Sequence, residues 1–567
     1  MGSPKVVMRL DGTILCSGSE PMVIPRGAAH VRAAEIRIPL EFASLPTVTA
    51  TVHPTAGPAT AGTVFGVSKI TIEELGTETQ VVIEATNVQG DVPVEGDFVC
   101  EYVIIGPSRR RPDPGREGNK ELRTATLEPN EVRDAPFPPE PPTKPSPQEW
   151  PRTPVPDGPL VGNLRPLSPP MWVEEGGRPE QSIDFDLYTN LNDPTPPIND
   201  VGEISVAENG ATVMLTGNSF MSFSLDGGST FTNVNPTTIF PQDDGGFCCD
   251  QVVEYVPEFD LFVWLLQYGG SPNRIRIAVQ NTEGFRSSNG TAWTYWDFTS
   301  GMLGTGTLDY NDMSYGRSNL YWTTQNGDGR VVIRVPLQQM AARGTINFEF
   351  TAGTDALWSH VTHNATNAVY WAGHISNSEL RVFSMVDGEG FYSWRTVSIN
   401  SWPNGTNTDF APDGTDWMSF ESWKHYVFGN ALVGGDVWFS WLASSNEYFA
   451  HPHIQMVRIN TSSFSLAEQV QIWNPKFAFL DAYLSSNDNG ELGLDIAFGG
   501  PPYYPSNAVG VWGDFVVYYP RLSTRASTRW GDYNTCRRSG SNPAEWVAGG
   551  YVLETGSAIP HFIRFSR

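Results

Sequence analysis

The chain has 567 residues, with 62 acidic against 36 basic side chains and a formal net charge of -26. That length predicts two or three domains, and the acidity argues against a protein that tracks nucleic-acid phosphates. Hydrophobic residues make up 40% of the chain and aromatics 12%, which excludes bulk disorder, while 55 Gly and 45 Pro favour short strands and turns over long helices.

No apolar run approaches the roughly 20 residues of a membrane helix, so no membrane insertion is expected. The opening MGSPKVVMRLDG has no apolar core, so no secretory signal is read there. Val6, where Ser or Thr is wanted, speaks against myristoylation of Gly2. Five Cys are too few for a disulfide scaffold. The expected location is extracellular or on a particle surface, reached without a signal peptide.

Residues 1–106 alternate apolar and polar side chains in AEIRIPLEF, TVTATVHP, SKITIEEL, TQVVIEATNV and DFVCEYVIIG. This period of two predicts about six antiparallel strands in a small β-sandwich. Residues 107–180 begin with the basic RRRPDPGREGNK and continue into a Pro-dense stretch, PFPPEPPTKPSPQEWPRTPVPDGPL. They are expected to form an extended, semi-rigid linker.

From 181 to 567 the chain repeats loosely. Seven units of about 50 residues each read as up to four antiparallel strands, the pattern of β-propeller blades. The count is six if the first and last units share one blade. The last unit is one strand short, and SIDFDLY (182–188) is placed to complete it and remove an exposed edge. The expected fold is therefore all-β: a sandwich, a linker and a seven-bladed propeller.

The segment Ser224-Leu225-Asp226-Gly227-Gly228-Ser229-Thr230-Phe231 has an acid at a tight turn, glycines for positive φ and an aromatic to pack inward. It resembles the Asp box of sialidase-like propellers, with Ser224, Asp226, Gly228, Thr230 and Phe231 in the matching positions. A looser relative spans 384–394. The resemblance implies a folding device and imports no catalysis. A sialidase would also need an arginine triad, a Tyr–Glu pair and an acidic Asp. Arg37-Ile38-Pro39 lies in the N-terminal block, and Arg274, Arg276, Arg330, Arg334, Arg381 and Arg458 mostly alternate within strands as solvated faces do.

Aligning the units on their first strands places Asp250, Asp312, His360, Asp481 and Asp532 near the propeller axis. Glu203 and either Ser419 or Glu421 complete the ring. Three readings follow: caps solvated at the axis, oxygen ligands of a cation such as calcium, or a catalytic carboxylate pair. No calcium-loop spacing is present, so a ring without cofactor is preferred. Cys248 and Cys249 are either buried thiols, a vicinal disulfide, or partners for Cys536; Cys16 and Cys100 are candidates to bridge the first domain. His451 and His453 form a loop pair without a third ligand. The sequons at Asn289, Asn364, Asn404 and Asn460 matter only in a eukaryotic secretory route.

Residues Ile38 to Val48 (IPLEFASLPTV), the strands at 70–72 and 81–87, and the closing Gly96–Gly106 segment resemble H-type lectin domains over about 75 residues. That resemblance implies sugar binding and trimeric or hexameric assembly; similar modules occur in phage tail and bacterial surface proteins. No sugar-contact motif matches. Abundant aromatics, for example Trp264, Tyr268, Trp293, Tyr295 and Trp296, suit stacking on sugar rings if they reach the axial face. Together these features predict a glycan-binding attachment protein, such as a tail fibre or virion adhesin. Its expected partners are a cell-surface glycan, further copies in a trimer or multiple, and other particle subunits, with no nucleic acid. A glycan-cleaving enzyme and a structural decoration protein are the alternatives.

Overall fold

The computed structural model describes the strands within residues 5–107 by their backbone. It further describes residues 117–132, 161–163, 183–191 and 201–567, except 243–244, 271, 305–306, 327–328, 423, 515–516 and 555. Met1–Gly115 and Arg116–Arg567 are two compact units. In the first, Lys5–Met8, Thr13–Ile24, Gly96–Pro107 and Thr47–Pro54 form one sheet in that order, and His30–Ile38, Glu78–Asn87 and Phe65–Leu75 form another. All pairs are antiparallel, as the period of two requires. In this register Cys16 faces Ile104 and Cys100 faces Glu20. Four residues of offset, about 13 Å, exceed the reach of a disulfide, so the Cys16–Cys100 bridge is excluded.

The second unit is a ring of antiparallel meanders. Its inner strands are Ser205–Asn209, Phe247–Val256, Asp309–Tyr315, Gly429–Val433, Ala478–Ser486 and Thr535–Arg538. Between the third and fourth of these, residues 359–363 supply the inner edge of another blade. Val361 N–H donates to Asp312 on one side and His363 N–H to the Asn430 carbonyl on the other. The last inner strand lies against the first, which closes the circle. Counted by inner edges, the described blades number seven. Counted by hydrogen-bonded sheets they number six, because the single pair Ser506↔Val552 joins the last two blades into one eight-stranded sheet.

The predicted closure is present. Asp184–Asn190 pairs along Ser557–Ser566 and supplies the outer strand that the last blade lacks. The Asp box fastens the same seam. Asp226 accepts from the Thr230 N–H (2.8 Å) and hydroxyl (2.7 Å), and Ser224 Oγ accepts from Gly228 N–H (2.8 Å). Gly228 has φ 93°, and a Cβ there would stand 2.4 Å from the Phe562 ring, so the turn needs glycine on both counts. The Gly228 carbonyl accepts from Thr189 of the closing strand, and Phe231 packs on Phe562 at 6.0 Å.

Residues 107–180 do not behave throughout as a linker. Glu117–Glu121 adds a strand outside Phe391–Ser398, Arg123–Leu127 outside Ile346–Phe350, and Asn130–Val132 outside Trp293–Thr299; Val161–Asn163 adds one outside Ser465–Ile472. The chain thus clothes the fourth, third, second and fifth blades in that order. The Pro-rich flanks hid this, although RTATL and NEV carry ladder-competent backbone with Pro129 falling between strands, where no N–H is needed. Gly118 permits the first addition: a Cβ there would lie 2.3 Å from the Trp394 indole.

Cores lie between adjacent blades. Trp264, Tyr268, Trp293 and Tyr295 are buried between the first two, and Trp296 between the second and third, so none reaches a sugar at the axis. Four of the six strand arginines are not solvated either, whereas the Arg458 side chain is 36% exposed. Arg276, Arg330, Arg334 and Arg381 are buried, and Arg276 pairs with Asp297 at 2.8 Å between the Tyr268 and Tyr295 rings. Among the described residues no helix is long and apolar enough to cross a membrane.

Trypsin should leave Lys120 and Arg123 intact in the folded protein. Gly118→Val should force the strand off Trp394 and expose both sites to rapid cleavage, read by mass spectrometry of the fragments.

Candidate functional site at the axial mouth

The inner strands do not run straight to the axis. Glu203, Tyr310, Trp358 and Asp481 have φ between 50° and 60°, a region non-glycine residues avoid. Register slips flank Asp250 (Cys249/Gln251), Tyr310 (Asp309/Asp312) and Asp481 (Leu480/Tyr483). A bulge inserts an extra residue and re-aims its side chain. Here the device recurs in three blades, at Asp250, Tyr310 and Asp481.

Lys424 lies at the heart of this cluster. Its Nζ is 2.8 Å from Asp481 Oδ2, 3.4 Å from Glu421 Oε2 and 3.6 Å from Asp532 Oδ1. The rings of Tyr426 and Phe428 stand 5.4 Å and 5.7 Å from the amine. Lys424 and Glu421 come from the long connection between Phe391–Ser398 and Gly429–Val433. Of the two residues proposed for this blade, Glu421 reaches the centre. A cation of the chain itself thus offsets part of the repulsion among the converging carboxylates. Among the described residues no group of His, Cys, Asp and Glu has the arrangement to hold a metal ion.

Burial raises these acids. Asp250 is pushed up to about 7 by desolvation and then by the charge of Asp309, although the Tyr533 hydroxyl donates to its Oδ2 at 2.8 Å. Glu421 rises to about 8, burial outweighing Lys424. Glu203 rises well above the usual range through burial, then Asp250 and Asp532. Solvent reaches this end at Asp532 and Arg529, whose side chains are 18% and 36% exposed and 3.1 Å apart. The guanidinium of Arg529 lies 4.3 Å from the ring centroid of Phe420, which is 46% exposed.

Beneath the acids is an aromatic stratum. His360 stacks parallel to Tyr533 at 5.9 Å and packs against Tyr310 and Tyr483. Burial lowers its pKa to about 3, so it is neutral there. Asp312 does not join the mouth. It meets His363 (3.4 Å), which contacts Arg537, itself 2.8 Å from Glu254. Burial opposes the charge on Asp312, but His360, His363 and Arg537 favour it more, and its carboxyl stays below the usual range. The sequence alignment therefore merged separate groups: Glu203, Asp250, Glu421, Asp481 and Asp532 cluster together, His360 lies among the tyrosines, and Asp312 joins His363 and Arg537.

Cys248 and Cys249 form a disulfide beside Asp250, and Cys536 is a buried free thiol. His451 pairs with Asp409 at 3.1 Å, and His453 is buried beside Gln455, so the two do not share a ligand site.

No family model and no curated protein matches the chain. Among solved structures it is similar to AofleA from Arthrobotrys oligospora, at 11% identity over 62% of this chain and 94% of that one, with a TM-score of 0.32. The WD40 domain of Toxoplasma gondii coronin aligns at 7% identity over 68% and 89%, with a TM-score of 0.31. An endo-arabinase from Bacteroides thetaiotaomicron aligns at 8% identity over 58% and 98%, with a TM-score of 0.26. Likeness at this level carries no argument about activity.

The buried acids have a signed consequence. Asp250 and Glu254 (about 7) and Glu421 (about 8) keep protons that an unfolded chain releases near pH 4, so stability falls as pH rises through that interval. His360, His453 and His561, all near 3, act oppositely below about pH 6.5, where the unfolded imidazoles charge. The melting temperature should rise by about 2 °C or more from pH 8.5 to about pH 6.5, then level off. Asp250→Asn should shrink the rise, as thermal unfolding monitored by circular dichroism would record.

Proposed function

We propose that the chain is a glycan-binding attachment protein whose sugar site is the rim of the axial mouth. The observation that supports this is the group Phe420, Arg529 and Asp532: an exposed aromatic ring, a guanidinium stacked on it, and a carboxylate bonded to that guanidinium. An aromatic face takes the apolar side of a pyranose while Arg and Asp take its hydroxyls. The N-terminal unit, by its resemblance to H-type lectin domains, serves for docking or trimerisation on a particle or cell surface, and multiple copies raise weak affinity through avidity.

A second reading, cleavage of the bound glycan, is favoured by the Tyr533–Asp250 contact. A carboxyl held near 7 can give or take a proton at neutral pH.

A glycan array probed with the purified chain should show binding that Phe420→Ala weakens about tenfold or more, the loss of one stacking contact and its hydrogen-bond geometry. Absence of binding to every glycan, or binding untouched by Phe420→Ala, would sink the proposal. Release of reducing ends from a bound glycan, abolished in Asp250→Asn, would establish the enzyme reading instead.

A further inference from the structure

The Lys424 cluster has a chemistry that neither glycan reading uses. The side chains of Lys424, Asp481 and Glu421 are 0%, 1% and 2% exposed, with Nζ 2.8 Å from Asp481 Oδ2 and 3.4 Å from Glu421 Oε2. Tyr426 and Phe428 wall the amine. Asp481 Oδ1 has no hydrogen-bond partner among the described residues. The backbones are locked at short range: a Cβ on Gly429 would stand 1.9 Å from the Ala482 carbonyl, so only glycine lets the two inner strands approach this closely.

We propose that Lys424 and Asp481 condense into an intramolecular amide, with Glu421 carrying the proton. In water an ammonium and a carboxylate do not condense, because both are charged and water is abundant. Burial disfavours the Lys424 ammonium, but Asp481 and Glu421 outweigh it and hold the amine charged, so the neutral pair is a minor state reached when the ammonium hands its proton to Asp481. The Nζ lone pair then attacks Cγ of the protonated Asp481, forming the N–C bond. Protonated Glu421 gives its proton to the carbonyl oxygen as the N–C bond forms, takes one back from Nζ and passes it to the departing hydroxyl; the Cγ–O bond breaks, water leaves, and the remaining oxygen returns its proton to Glu421. One ammonium and one carboxylate become one amide and one water, with no oxidant or cofactor.

Burial raises Asp481 to about 6 and Glu421 to about 8 against the pull of Lys424, which makes the protonated forms accessible. Fixed contact between the reacting atoms supplies the effective concentration, on the order of 10⁵ M or more for well-oriented groups. Asp532, at 3.6 Å from the amine and 18% exposed, stays hydrated and is the poorer acyl donor.

The intact mass of the full chain, reduced and denatured, should be one water below that of its sequence. Digestion should yield one branched peptide joining the segments around Lys424 and Asp481. Glu421→Gln preserves size and burial and should leave the branched peptide at least tenfold less abundant. Lys424→Met strands buried carboxylates and risks misfolding, so the wild-type peptide and Glu421→Gln carry the test. An unaltered wild-type mass, or a lighter mass without the branched peptide, overturns the amide. A branched peptide at wild-type yield in Glu421→Gln overturns the role given to Glu421.

Discussion

Five acidic side chains, Glu203, Asp250, Glu421, Asp481 and Asp532, are drawn to one axis, and the fold depends on offsetting their mutual repulsion. Coulomb energy between carboxylates a few ångström apart grows as water is excluded. As an ammonium Lys424 lowers that energy where the crowding is worst, touching two acids and standing near a third, and condensation with Asp481 would remove one of the acids instead. Proton retention handles Asp250 and Glu203, and Arg529 handles the solvent side. This division explains the graded character of the axis: a wet rim able to meet a ligand, a dry acid–lysine compartment, an aromatic stratum, and a deeper Asp312–His363–Arg537–Glu254 network.

Converging side chains also need a ring that cannot spring open. A propeller closed only by neighbouring contacts would leave its last blade loosely attached. Here Asp184–Asn190 completes that blade from the far end of the sequence, and the Asp box of the first blade locks onto it through Gly228, Thr189 and Phe562. A turn far from the axis thereby fixes the geometry at the axis. The backbone strain at Glu203, Tyr310, Trp358 and Asp481, on the order of 1–3 kcal/mol each, is tolerated because the closed ring over-determines those positions.

Much of this was legible. Period-two alternation gives the strands, turn residues give the blade boundaries, and the missing strand of the last repeat points to 182–188. Asp226 and its neighbours could be read as a turn device because every contact in it is local. Long-range determinants were not legible. Alignment brought Glu421 to the ring but passed over Lys424, three residues on, because it sought acids or histidine at the matching position. Asp312 was placed with Asp250 and Asp481 because a bulge changes residue count without changing residue type. The strands at 117–132 were hidden by Pro-rich flanks, and their partners lie more than 150 residues away. Trp264 and its neighbours were ambiguous because an aromatic suits a sugar site and a core equally.

Those outer strands also set an order of events during synthesis. Glu117–Val132 leaves the ribosome before any blade exists, yet Arg395 is 278 residues from its partner Glu117, and Asn347 is 221 residues from Thr126. Contacts of such sequence separation form late and slow folding. Until then these segments are unpaired edges in a crowded cell, the condition that invites aggregation. Their make-up suits the wait: Glu117, Lys120, Glu121, Arg123 and Glu131 keep them charged, with most positions exposed even in the finished fold. The belt is therefore polar because it is made first and used last.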